Sequence, residues 1–103
     1  MTFINIIASI RVKAGRLPVF LEIFKSNVPD VRKERGCIDY FPAVDIDTGL
    51  PIQNLDENVV TIIEKWESLE ALSDHLTAPH MLVYREKVKD IVENISIKAL
   101  QEA

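Results

Sequence analysis

The amino-acid sequence predicts one α+β domain with the element order β-α-β-β-α-β, and three observations carry that reading. The run FINIIASIRVK at 3–13 is isoleucine-rich and mostly apolar or small at both parities, as a strand buried on both faces is. After Ala14-Gly15 the spacing changes to Leu17, Leu21, Phe24, Val28 and Val31, a helical stripe. VVTIIEKW at 59–66 then returns to a period of two and is the clearest strand in the chain.

Taken in order, the first helix runs from Leu17 to Arg35-Gly36, where glycine supplies the left-handed position that ends it, and Pro29 kinks it without breaking the phase of the stripe. CIDYFPAVDI at 37–46 is a second strand, with Pro42 marking an edge or a bulge. The connection DTGLPIQNLDEN has room for a short ribbon of its own. Ser68 caps a short helix carrying Leu69, Leu72 and Leu76, and Pro79 restarts the helix as its first residue and carries it to about Glu93. NISIKAL at 94–100 is the last strand. This is the split βαβ pattern of a ferredoxin-like fold, in which helices cover one sheet face. Strands one and three are apolar on both faces, so a second copy of the chain packing sheet to sheet is the simplest cover for the other.

Composition narrows the function. The 103 residues, 48% hydrophobic and 27% charged, fit a single domain over 1–103. A net charge of -4 with no long basic run argues against nucleic acid as a partner. The apolar stretch at 3–10 is far shorter than the roughly 20 residues that span a bilayer, so no membrane partner is expected, and it reads as a strand rather than a signal peptide. A lone cysteine, Cys37, forms no internal disulfide, which fits a reducing, cytoplasmic setting.

The chemistry-bearing residues gather in EKWESLEALSDHLTAPHM at 64–81. Period two puts Val60, Ile62, Glu64 and Trp66 on one face of the third strand. The helix from Ser68 to His75 covers about 10 Å, roughly three strand residues, so a returning helix sets His75 above Glu64 and suggests a Glu64–His75 pair. Two readings stay open. Glu64 orients His75 as a proton acceptor, or the pair only satisfies a buried carboxylate and locks helix to sheet. His80 follows Pro79 at a helix N-terminus, where the helix dipole disfavours a positive ring; it is a second candidate acceptor or a water-facing residue. The spacing of five between His75 and His80, with no completing ligand, argues against a metal site. Met81, Tyr84 and Val88 form a stripe that is either core or pocket wall, and Trp66 and Tyr40 could stack on a flat ligand or simply pack. No phosphate loop, nucleophile triad or dinucleotide fingerprint is present.

GCIDYFPAVD at 36–45 and IIEKWESLEALSDHLTAPHM at 62–81, in a chain of this length that opens strand-helix, closely resemble the antibiotic biosynthesis monooxygenase family, and within it the small bacterial quinol monooxygenases. The resemblance implies a dimeric α+β barrel, with a small aromatic substrate, quinol-like or polyphenolic, oxidised by molecular oxygen without metal, flavin or haem. It implies His75 or His80 as base or hydrogen-bond partner, Glu64 setting the state of His75, and Trp66, Tyr40, Met81 and Tyr84 lining the ring site. Where the aromatic-polyketide oxygenases of the family carry an Asn four residues before the strand Trp and a Tyr six after it, this chain has Ile62 and Leu72, so their proton-transfer scheme does not carry over. The haem-degrading branch has a first-strand Asn where Ala8 stands, and Arg85 stands near the place of its ligating His.

Two other functions fit the same scaffold. One is an isomerase or degradative enzyme for a small phosphorylated signal or sugar, for which Arg11, Lys65 and Arg85 are the available cations. The other is a non-catalytic quinone-binding or stress protein.

Overall fold

A computed structural model describes residues 2–103. Its elements are β1 (Ile4–Val12), α1 (Leu17–Arg32), β2 (Cys37–Ala43), β3 (Val59–Trp66), α2 (Leu69–Thr77), α3 (Pro79–Val88) and β4 (Val92–Leu100). The four strands form one antiparallel sheet in the order β2-β3-β1-β4. This is the ferredoxin-like βαββαβ arrangement expected from the pattern, with β1 and β3 at its centre.

Register explains which side chains meet the helices. Ile6 pairs with Glu64, Ala8 with Ile62 and Ile10 with Val60, so these six share one face, and all six are buried. Tyr40 pairs with Glu64 across β2 and joins them. Against this face α1 lays Phe20, Phe24, Val28 and Val31, and α3 lays Met81, Tyr84 and Val88. The aromatic members interlock: Phe24 stacks on Tyr40 with centroids 5.4 Å apart and meets Tyr84 edge-on at 5.7 Å. Such offset and edge contacts add to what area burial alone contributes.

Several boundaries differ from the sequence expectation. α1 does contain Pro29, but it ends at Arg32 rather than at Gly36. Residues 33–36 form a turn in which Cys37 N–H donates to Glu34 O at 3.2 Å, and Gly36 adopts its positive φ of 86° in that turn. β2 stops at Ala43 and α3 at Val88. The 44–58 connection forms no ribbon. It folds on itself through side chains instead: Gln53 Oε1 accepts from Thr48 Oγ1 at 2.5 Å, and Gln53 Nε2 donates to Ile46 O at 2.6 Å. Polar groups turned inward leave Ile46 and Ile52 outside, the latter 91% exposed.

β1 is also not buried on both faces within one chain. Ile7 pairs with Ile63, Ile63 pairs with Phe41, and all three are only half-buried on the face away from the helices. Among the described residues no further element is left to cover them. No helix among the described residues is long and apolar enough to cross a membrane.

Candidate active site

α2 returns over β3 because Ser68 turns the chain and caps the helix, its Oγ accepting from Ala71 N–H at 3.1 Å. The return carries His75 one strand pair short of the expected place. His75 lies over Trp66, ring centroids 4.6 Å apart, and edge-on to Tyr40 at 5.4 Å. The anticipated Glu64–His75 pair is therefore not formed. Trp66 Nε1–H donates to Glu64 Oε1 at 2.9 Å, and the carboxylate is satisfied by its neighbour on the same strand face. His75 Nδ1 goes to Glu34, 2.9 Å from Oε2 and 3.2 Å from Oε1. A ring nitrogen facing a carboxylate carries the proton, so neutral His75 has its hydrogen on Nδ1 and a lone pair on Nε2.

A cavity of about 300 Å³ opens between the sheet and the helices. Glu64, His75, Tyr40, Met81 and Tyr84 line it, together with Phe24. Trp66, expected at the ring site, does not: it is fully buried and backs His75 and Glu64 from behind. His80, expected as an alternative base, is also outside it. Successive helix residues point about 100° apart, so where Met81 faces the cavity His80 turns to α1. There its Nδ1 meets Asn27 Oδ1 at 3.1 Å, in a groove shared with Ser26, Asp30 and Lys87. His80 Nε2 stands 2.9 Å from Glu34 Oε2, close enough for an ion pair but without the alignment of a hydrogen bond.

Electrostatics sharpens these roles. Burial lowers the His75 pKa from its ordinary value, with the Glu34 carboxylate pulling the other way, so the ring is neutral near pH 7. Burial raises Glu64, only partly offset by the bond from Trp66, which favours its protonated form. Tyr40 and Tyr84 are both raised, chiefly by burial, and remain phenols. The Cys37 thiol is pushed up to about 11, mainly by burial, and is no nucleophile at neutral pH. Of the three cations singled out from sequence, Arg11 pairs with Asp56 at 2.6 Å, Lys65 sits over Phe3, and only Arg85 reaches the cavity, joined there by Lys89. Among the described residues no three His, Cys, Asp or Glu side chains are arranged to hold a metal ion; both histidines approach the same carboxylate oxygen rather than a common vacant point.

Glu34 and Asn27 escaped the sequence reading. Asn27 sits beside the α1 stripe and has no distinguishing signal. Glu34 has a weak one: a carboxylate just past a helix C-terminus stands at the end whose dipole repels it, and such a residue needs a cationic or hydrogen-bonding partner.

The model of the family described as antibiotic biosynthesis monooxygenase matches residues 3–87. The chain belongs to the antibiotic biosynthesis monooxygenase family. It is 39% identical over 100 residues to the Escherichia coli K12 protein named "Probable quinol monooxygenase YgiN", covering 95% of this chain and 96% of that one. Solved structures share the fold: PA3566 from Pseudomonas aeruginosa superposes with a TM-score of 0.84 at 23% identity, covering 100% of this chain and 96% of that one. SO0527 from Shewanella oneidensis gives 0.82 at 25% identity, covering 98% and 91%. Family membership and the curated relative make the chain an oxidoreductase of the monooxygenase class.

Proposed function

We propose that this monooxygenase oxidises quinol-like or polyphenolic aromatics with molecular oxygen in the cavity beneath α2 and α3, without metal, flavin or haem, and that His75 is its base. The observation that carries the reading is a buried imidazole that lines an apolar cavity large enough for a one- or two-ring ligand and is tied through Nδ1 to Glu34, which leaves Nε2 for a substrate. The relative's name, a quinol monooxygenase, supports the same substrate class.

The chemistry needs little from the protein. His75 Nε2 takes a hydroxyl proton, and the resulting quinolate is electron-rich enough to pass one electron to oxygen. When it holds its proton, Glu64 donates to the ring's other oxygen, and Arg85 at the mouth stabilises the superoxide. Recombination on a ring carbon, with loss of water, converts quinol and oxygen into a hydroxyquinone and water. The walls of Phe24, Tyr40, Met81 and Tyr84 keep bulk water from the radical pair.

A homodimer packed through the open face of the sheet is part of the proposal, as is a cytoplasmic setting for a chain whose one cysteine is unpaired. Oxygen uptake with a reduced naphthoquinone is expected to exceed the autoxidation blank, and His75→Ala is expected to lower the excess by about 10²–10⁴-fold. Rates equal to the blank in both proteins would end the oxygenase reading; saturable naphthoquinone binding without uptake would favour a binding protein instead. A second reading has one observation behind it. Arg85 and Lys89 at the cavity mouth suit an anionic, phosphorylated small molecule, and competition of a sugar phosphate with naphthoquinone binding would support it.

A further inference from the structure

Glu34, His80 and Asn27 form a connected group behind His75, outside the cavity, and nothing in the proposed reaction yet uses them. Glu34 lies in the turn after α1, His75 near the end of α2, His80 at the start of α3 and Asn27 within α1. Glu34 does not line the cavity; it lines a separate hollow beside Thr77-Ala78-Pro79, where the break between α2 and α3 lets solvent approach. His75 and His80 meet the same oxygen, Oε2, each at 2.9 Å. The two contacts therefore compete for one carboxylate charge. On its far side His80 Nδ1 faces Asn27 Oδ1, and Asn27 Nδ2 donates to Met81 Sδ at 3.4 Å, which fixes the amide's orientation. A neutral His80 that donates from Nδ1 to Asn27 turns a bare lone pair toward Glu34, so its contact with the carboxylate is attractive only with a proton between them.

We propose that Glu34 is the positioning residue for the base and that His80 acts on His75 chiefly through Glu34. The inference rests on His75 being the base. The carboxylate holds the proton on Nδ1, keeps Nε2 free at the cavity wall, and opposes the imidazolium charge that appears when Nε2 takes the substrate's proton; the Nδ1 proton stays where it is. With a proton on Nε2, His80 draws on the same oxygen and limits how much of that charge His75 feels. Other groups near His75 are Trp66 from β3, Tyr40 from β2, and His80 and Arg85 from α3, with Glu64 lining the same cavity, and none of them contacts Nδ1 in the manner of Glu34.

Two variants give opposite results on this account. Glu34→Gln keeps the shape and removes the charge: kcat for a reduced naphthoquinone falls about tenfold or more with KM little changed, and the acid limb of the pH–rate profile moves down by roughly one pH unit. His80→Ala frees the carboxylate for His75 and moves the limb up, while the double variant behaves as Glu34→Gln alone. A residue that only held the helices together would move both profiles alike or neither. Long-range nitrogen–proton NMR of the wild-type imidazoles reads the same point without turnover, and is expected to find the His75 proton on Nδ1. A proton on Nε2, shifts of the same sign, or additive effects in the double variant overturn the inference. An Nδ1 proton with opposite NMR titration shifts, in a protein that consumes no oxygen, would keep it and retire the oxidation reading alone.

Discussion

Trp66 matters here through its nitrogen as much as its ring. It is the only hydrogen-bond donor the structure gives to Glu64 among the described residues, and its indole is the floor on which His75 rests. Trp66→Phe keeps the floor and strips the carboxyl of its partner, so it is expected to cost on the order of 1–3 kcal/mol in urea unfolding; an unchanged midpoint would mean that the bond contributes nothing. Glu64 itself favours its proton in the fold, since burial raises its pKa above the ordinary 4.5. Stability from this group is full below that value and is lost as pH rises through the raised one. Glu64→Gln is therefore expected to be more stable than wild type at pH 8, with the advantage vanishing near pH 4; a constant difference would contradict this. His75 has the opposite sign. Its lowered pKa puts the acid limb of any rate that needs neutral imidazole below 6.5, and a limb above 6.5 would assign that titration to another group. Sequence period placed Glu64 and Trp66 on one face correctly, because strand parity is rigid. It mispaired His75, because a reach of three strand residues cannot distinguish two side chains only two residues apart.

At the scale of elements, the turn at 33–36 is what brings Glu34 to the histidines. Gly36 holds it: φ is 86°, and a Cβ there would stand 2.5 Å from the Ala71 Cβ on α2. Gly36 O also accepts from Glu67 N–H at 2.8 Å, tying the turn to the start of α2. Gly36→Ala combines left-handed strain with a contact that neither backbone can relieve cheaply, and roughly 3 kcal/mol of destabilisation is expected in chemical denaturation. A loss under 1 kcal/mol would show the turn to be more adaptable. The strands and helices were legible because their apolar spacing is long and regular; VVTIIEKW was bounded to the residue. The turn and the 44–58 connection were not, because side-chain bonds such as Gln53 to Thr48 leave no period in the sequence. That is also why Glu34, 41 residues from His75 and in no element, went unseen.

For the whole molecule, helices cover β1, β2 and β3 on one face of the sheet, where Ile95 and Ile97 of β4 stay exposed, and leave Ile7, Phe41 and Ile63 half-covered on the other, with Phe3 and Leu100 exposed nearby. This stripe is the face that the proposed second copy would cover. Ile63→Lys places a charge at its centre and is expected to convert a dimer into a monomer in sedimentation velocity; wild type sedimenting as a monomer would remove the second copy from the proposal. What joins all three scales is the cavity, whose walls come from the sheet and all three helices and whose base is held from behind. A crystal structure of the protein soaked with a naphthoquinone tests this most directly. The ring is expected between Tyr40, Met81 and Tyr84 with one oxygen in hydrogen-bond reach of His75 Nε2 and the other toward Glu64; a ring bound elsewhere, or in the cavity with His75 Nε2 turned away, would rule out His75 as the base of this site.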